Sequence, residues 1–476
     1  MVVTLKSDAL IHDDIVTMNL NNDIKQQDLI HQLDADFAGQ IIQPGDQDYE
    51  EARRVHNGLI DRHPRIILRC SSTADVVSAL KFGIQTELEI AVRGGGHNVA
   101  GRAVCNDGLV IDLSLMKGMH VDVNSATARV QPGVTWGEFN RETQLYGLAT
   151  TGGMISSTGV AGLTLGGGLG ALMPKYGLTI DNLLSAQVVT ASGEVLNASE
   201  DENQDLFWGI RGGGGNFGIV TSFEFNLHAV GPVVQGGMSI YPADQIVSLL
   251  KFYRHKVTDI CDELSVLTVI RHMPDQLGTL CAALFACHCG EEQAAIESTK
   301  QLKSFGQPIK DDIGPISYSK LNTLVDSSFP KLALNYWKSS YIQKLTDDAI
   351  QCLVEQFKLC PSGMTRIIID HFHGAAIRPS PQSTAYPNRS EGFYILIISQ
   401  WMDESESQKN IEWTRHTYNA LSPFMEKGVY SNYMSDDETD DRIRAAFGDN
   451  YPRLQEIKSR YDPDNVFRGN QNIIPA

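Results

Sequence analysis

The sequence has no surplus of positive charge: 39 Lys and Arg stand against 57 Asp and Glu, a formal net charge of −18. A nucleic-acid or anionic-membrane surface draws its affinity from a basic footprint, through counterion release or lipid attraction. Both partner classes are therefore excluded, and a small-molecule substrate is expected. No uncharged apolar run approaches the ~20 residues that span a bilayer. The start, Met1-Val2-Val3-Thr4-Leu5-Lys6-Ser7-Asp8, lacks the basic stretch and apolar run of a secretory signal. A soluble, cytoplasmic protein is the expectation, and nothing in the sequence speaks to its oligomeric state. Cysteine is scarce: Cys70, Cys105, Cys261, Cys281, Cys287, Cys289, Cys352 and Cys360 show no framework spacing. A chain this long folds without covalent staples, so reduced and mostly buried thiols are expected. Ligand spacing for a metal is missing too, and Cys287-His288-Cys289 among apolar neighbours reads as a buried pair. There is no internal repeat.

What is present is the material of a globular enzyme, 42% hydrophobic and 20% charged over 476 residues. That length calls for more than one domain. Residues 1–45 are polar and aperiodic and read as an N-terminal arm. Residues 46–230 alternate short strands with helical patterns and hold three glycine concentrations. The glycines thin out after Gly231-Pro232, so residues 231–425 form a second domain of longer strands and helices, and residues 426–476 a closing segment. This is α+β organisation.

The strand Glu89-Ile90-Ala91-Val92 runs directly into Arg93-Gly94-Gly95-Gly96-His97-Asn98. Successive backbone N–H groups in such a loop can face an anion, because glycine tolerates positive φ and has no Cβ to hold a pyrophosphate away. A dinucleotide-binding GxGxxG/A reading of Gly166, Gly168 and Ala171 is the weaker alternative, since no clean strand precedes it and no acidic residue follows at the required distance.

The loop, extended through Val99-Ala100-Gly101 and followed by Gly108-Leu109-Val110-Ile111-Asp112-Leu113-Ser114, resembles the FAD domain of the berberine-bridge-enzyme-like oxidases, a branch of the vanillyl-alcohol-oxidase flavoproteins. The resemblance continues through Val130-Gln131-Pro132-Gly133, Gly159 to Asn182 and Asp205 to Gly218. It resumes at Tyr430-Ser431-Asn432-Tyr433 and at Tyr461 to Ile473. It implies a two-subdomain FAD-binding domain, completed by the C-terminal segment, and an α+β substrate domain whose antiparallel sheet covers the flavin. It also implies FAD, bound by Arg93, Gly94, Gly95, Gly96, His97, Asn98 and Gly101 in the first loop. Thr158, Gly159, Gly162, Gly167, Gly168, Gly170, Tyr176 and Asp181 would follow in the second stretch. Gly218, Val220, Asn432, Asn470 and Asn472 would complete the set. His97 is the implied covalent attachment point. Many relatives add a cysteinyl link four residues before the glycine matching Gly159; Ile155 stands there, so a single bond is expected.

The implied reaction removes hydride from a C–H next to an oxygen or nitrogen of an alcohol, sugar or alkaloid-like amine. Dioxygen then reoxidises the flavin and leaves as hydrogen peroxide. A flavin dehydrogenase with another acceptor, or a flavin-binding protein without turnover, remains open. Hydride removal works best with a base at the neighbouring heteroatom. Tyr430 and Tyr433 are candidates through the Tyr-x-Asn-Tyr element. In Thr365-Arg366-Ile367-Ile368-Ile369-Asp370-His371-Phe372-His373, strand geometry puts His371 and His373 on one face with Ile367 and Ile369. Some relatives carry Lys, Glu or Gln at positions matching Tyr394 and Leu396; the acid or amide is absent here, so a Tyr, including Tyr394, or a His is expected to serve.

Overall fold

The computed structural model describes Ile30, Leu33 and residues 37–273 and 278–476, so most of the expected N-terminal arm lies outside the described residues. In the glycine-rich half, Gln40–Ile42, Ile66–Arg69, Leu109–Asp112 and Ile90–Arg93 form a four-stranded sheet in that order. The last three strands run parallel. Ile66, Ile67 and Leu68, like Leu109, Val110 and Ile111, are wholly buried, the uninterrupted apolar pattern of strands covered on both faces. The helix Thr73–Gln85 covers one face, its start fixed by a reciprocal Ser72–Asp75 capping box.

A second, antiparallel sheet orders Met119–Asp122, Thr127–Val130, Ile219–Asn226, Leu183–Val189 and Val195–Ser199. Its core takes in Phe223 and Phe225 together with Leu454, Ile457, Tyr461 and Ile473 from the end of the chain. The C-terminal residues thus complete a core begun some 300 positions earlier, at Ala128 and Val130.

The third large unit is an eight-stranded antiparallel sheet. Along it, Val233–Pro242, Leu280–His288, Leu264–His272, Arg366–Phe372, Gly392–Trp401 and Leu334–Ile342 lie side by side in that order. One face, with Val266, Ile270, Ile367, Ile369, Ile395 and Ile397, packs on helices Ile246–Lys256, Asp347–Lys358 and Ser407–Leu421. The other face, with Leu267, Val269, Ile368, Leu396 and Ile398, turns toward the glycine-rich half. The architecture is α+β, with antiparallel sheet over the glycine loops, as the sequence implied.

The closing helix Tyr451–Tyr461 is anchored by a wholly buried ion pair, Lys458 Nζ to Asp462 Oδ2 at 2.6 Å. Lys458 also donates to the carbonyls of Asn216 and Phe467, and Asp462 accepts from the backbone N–H groups of Val466 and Phe467. Removing one charge leaves the other buried and unpaired, at a cost of about 3–5 kcal/mol. Lys458→Met is therefore expected to lower the urea midpoint strongly, and Lys458→Met with Asp462→Asn to recover part of the loss; equal midpoints for the two would refute the assignment.

Candidate active site

A cavity of about 340 Å³ lies between the glycine loops and the large sheet. Its floor begins where the strand Ile90–Arg93 delivers the first glycine loop. The base of that loop is set by Arg93, whose Nη2 meets Asp112 Oδ2 at 2.7 Å in the neighbouring strand. Burial pushes the Asp112 carboxyl up, but the charge and hydrogen bonds of Arg93, with Ser114 N–H and Arg69, outweigh it and hold the group below its ordinary range.

Beyond Arg93 the backbone packs on backbone. A Cβ on Gly95 would stand 2.5 Å from the nitrogen of Gly159, and one on Gly159 would stand 2.6 Å from the nitrogen of Gly95. Neither position has room for a side chain. His97 follows, its Nε2 2.9 Å from Ser157 Oγ and its ring stacked on His56 with centroids 3.9 Å apart. Loss of solvation, then the neighbouring His56, pushes the His97 pKa down to about 3. The imidazole is therefore neutral and keeps a nucleophilic lone pair.

The second glycine stretch is held from the C-terminal side. Tyr430 Oη accepts from the Gly168 N–H and from Asn432 Nδ2, both at 2.9 Å, and Asn432 Nδ2 also reaches the Leu163 carbonyl at 3.2 Å. Tyr430, Tyr433 and Tyr394 form a wall of rings in edge-on and tilted contact, with centroids 4.9 to 6.2 Å apart.

The large sheet supplies the roof in three cross-strand rows. Leu267, Asp370, Tyr394 and Tyr341 are in register; so are Val269, Ile368, Leu396 and Ser339; so are Arg271, Arg366, Ile398 and Trp337. This alternation carries a correction. His371 and His373 do not line the cavity, because residues 366, 368 and 370 of the same strand do, and a strand's side chains alternate between faces. The two rings stack on each other 4.6 Å apart, and His371 lies 3.6 Å from Glu391. Burial pushes His371 down to about 3 and lowers His373 as well.

Burial also raises the three phenols: Tyr430 to about 12, and Tyr394 and Tyr433 further above their ordinary value. Burial favours their neutral, protonated form. Asp370 is the residue that the sequence reading passed over. Its Oδ1 is buried without a hydrogen-bond partner, and desolvation lifts its pKa to about 7, against a weaker opposing hydrogen bond from the His371 N–H. An acidic residue inside an apolar strand was the available signal.

Of the expected cofactor residues, Gly94, Gly95, Gly96, His97 and Asn98 line the cavity, as do Thr158, Gly159, Gly162 and Gly170. Gly218, Val220, Asn432 and Asn470 line it too. The others do not, and several have structural partners instead. Arg93 holds Asp112, and Asp181 forms a two-point ion pair with Arg389 at 2.7 and 2.8 Å. Tyr176 stacks on His228 with centroids 3.9 Å apart. Gly101, Gly167, Gly168 and Asn472 are not among the lining residues. Unforeseen lining residues include Gly213, Gly214, Gly215 and Arg102, whose Nη1 bonds the Asn470 carbonyl at 2.8 Å while its buried Nε has no partner.

These walls fit an elongated dinucleotide. Nothing lies within 4 Å of where a Cβ on Gly162 would stand, and on Gly214 one would meet just the Asn216 amide at 3.8 Å, so bare backbone faces open space that a planar ring or a pyrophosphate could fill.

Comparison with known proteins agrees with this geometry. A family model for the FAD binding domain matches residues 64–199, and a model described as berberine and berberine like matches residues 429–474. The chain is 30% identical over 456 residues to (R)-6-hydroxynicotine oxidase of Paenarthrobacter nicotinovorans, covering 92% of this chain and 97% of that protein. It is 28% identical to an FAD-linked oxidoreductase of Dictyostelium discoideum over 96% of its own length and 99% of the relative's. The crystal structure of 6-hydroxy-D-nicotine oxidase from Arthrobacter nicotinovorans superposes with a TM-score of 0.85, covering 92% of this chain and 98% of that one at 28% identity. Berberine bridge enzyme in complex with (S)-reticuline shares the fold, with a TM-score of 0.84 over 95% of this chain and 99% of that one at 22% identity. The chain belongs to the berberine-bridge-enzyme-like family of FAD-linked oxidoreductases.

Proposed function

We propose that this FAD-linked oxidoreductase is an oxidase that takes hydride from a C–H next to an oxygen or nitrogen of a small organic substrate, with Asp370 accepting the proton of that heteroatom. FAD, when bound, would supply the two-electron acceptor for the hydride, with dioxygen as the final acceptor and hydrogen peroxide as its product. The backbones of Gly94–Asn98, Gly159–Gly162 and Gly213–Gly215, with Arg102, Asn432 and Asn470, would hold it. His97 would hold it through the single covalent bond, since its imidazole lines the cavity in the neutral form and Ile155, which also lines the cavity, offers no thiol.

The observation that carries the reading is the Asp370 carboxyl. It stands in the cavity wall with an unpartnered oxygen and a pKa of about 7, which matches a general base to neutral pH. Around it, Tyr394 Oη donates to Ser339 Oγ at 2.7 Å. Tyr430 Oη accepts two hydrogen bonds and so keeps its own proton for donation. Tyr433 is close enough to feel the Asp370 charge. These phenols orient a substrate heteroatom, and the carboxylate removes its proton.

The carboxylate is the working form, and it is populated above its pKa. With an alcohol or cyclic amine that bleaches the flavin, kcat/KM should climb with pH through a midpoint near 7 and then level off. Asp370→Asn should abolish that limb and lower kcat/KM by about 10²–10⁴-fold; an unchanged profile in the variant assigns the proton elsewhere. For the covalent bond, yellow colour should stay with acid-precipitated protein and move to the supernatant in His97→Ala. Flavin released from the unmutated chain would refute the link. A broad panel of alcohols, sugars and amines in which no compound bleaches bound flavin would refute the oxidase reading itself.

A further inference from the structure

Arg366 is 6% exposed and lines the cavity. All its hydrogen bonds leave from Nη2, to the carbonyls of Ser328 and Met364 at 2.8 and 2.7 Å and to Gln400 Oε1 at 2.9 Å. The guanidinium lies over the Phe329 ring, 4.3 Å from its centroid. Directly across the strand pair stands Arg271, which also lines the cavity and bonds the His272 carbonyl through Nε at 3.1 Å. Among the described residues no carboxylate forms an ion pair with either arginine.

Buried cations elsewhere are matched. Arg93 and Asp112, Arg389 and Asp181, Lys338 and Glu438, and Lys458 and Asp462 all meet within 2.7 Å. Like charges directly opposed across strands are destabilising, and a buried charge without a counter-ion more so. Burial, then Arg271, lowers the Arg366 pKa to about 9, the sign of a cation in an unfavourable place. An anion arriving from outside would remove the penalty.

The rows of the roof say where that anion would sit. Arg271 and Arg366 occupy one end row, Val269, Ile368 and Leu396 the middle row, and Asp370 and Tyr394 the other end row. Asp370 lies four steps along the strand from Arg366, roughly 13 Å between Cα atoms. An acid group would be attracted to the arginine end and repelled from the Asp370 end, with an apolar spacer between.

We infer that the substrate is a carboxylate, its acid group paired with Arg366 and Arg271, its apolar body under Ile368 and Leu396 and its oxidisable bond toward Asp370. The inference rests on the reading of this cavity as an oxidase's substrate pocket. With Nη2 of Arg366 held by protein oxygens, its Nη1 is left to meet the acid in a charge-assisted hydrogen bond beside Arg271, which makes the acid group an orienting handle as well as a source of affinity.

The test uses the flavin-loaded protein and four probes, benzoate, phenylacetate, 3-phenylpropionate and 4-phenylbutyrate, each beside its carboxamide, with binding read from the shift of the flavin absorbance. At least one acid should bind about tenfold to a hundredfold more tightly than its amide, and added salt should narrow the gap. Arg366→Met should erase the preference, Arg366→Lys retain part of it, and Arg271→Met reduce it, with flavin content and Tm measured for each. Because Arg366 also bonds two loop carbonyls, the acid-to-amide ratio in the unmutated protein and in Arg271→Met decides if Arg366→Met fails to fold. Acids and amides bound alike, or no acid bound at all, would each overturn the inference. Failure of the oxidase reading is a separate result: acids would bind with preference while no compound bleached the flavin.

Discussion

The contact on which the site depends is the backbone-to-backbone approach of Gly95 and Gly159. At this separation neither residue can carry a side chain, so the first glycine loop and the start of the second stretch form one continuous surface of bare peptide. Everything functional is placed relative to that surface. His97 follows Gly95 by two positions and meets Ser157, two positions before Gly159. Asn432 and Tyr430 then reach over from the end of the chain to hold the helix that Gly159 begins. A peptide floor suits a dinucleotide because amide N–H groups give fixed partial positive charge without a mobile side chain.

The roof follows a different logic. Its strands are apolar on both faces, so the sheet is buried between helices and the glycine-rich half, and a charge in it carries a desolvation cost. Asp370, Arg271 and Arg366 interrupt the cavity face. Two end rows of ionisable groups with an apolar row between them give the cavity a direction. The tyrosine wall adds neutral donors, kept protonated by burial, beside the carboxyl that burial leaves poised to titrate. The same desolvation that silences the phenols tunes the acid, because it always opposes the charged form.

Much of this was legible in the residue order. The glycine loops, the Tyr-x-Asn-Tyr element and the family resemblance pointed to an FAD enzyme of α+β architecture. Period-two spacing placed His371 and His373 on one face with Ile367 and Ile369. What could not be read there was which face meets the cavity, because Ile367, Ile368 and Ile369 are equally apolar and the usual contrast between a wet and a dry face is missing. Asp181 and Tyr176 likewise belong to motifs of the resemblance, yet their partners are Arg389 and His228, the first of them 208 positions distant.

The sequence by itself determined where the backbone must be bare and which residue types stand beside it, since glycine's missing Cβ is a local property. It determined the strands as well, through runs of β-branched and aromatic residues. Tertiary structure decided which side chains share the cavity. That depends on strand register and on sheet-to-loop packing, and it brings Asp370 and Arg366 opposite a loop nearly 300 residues earlier in the chain. A one-residue change of register would turn them into the helix layer, so their role as cavity groups exists in the folded chain alone.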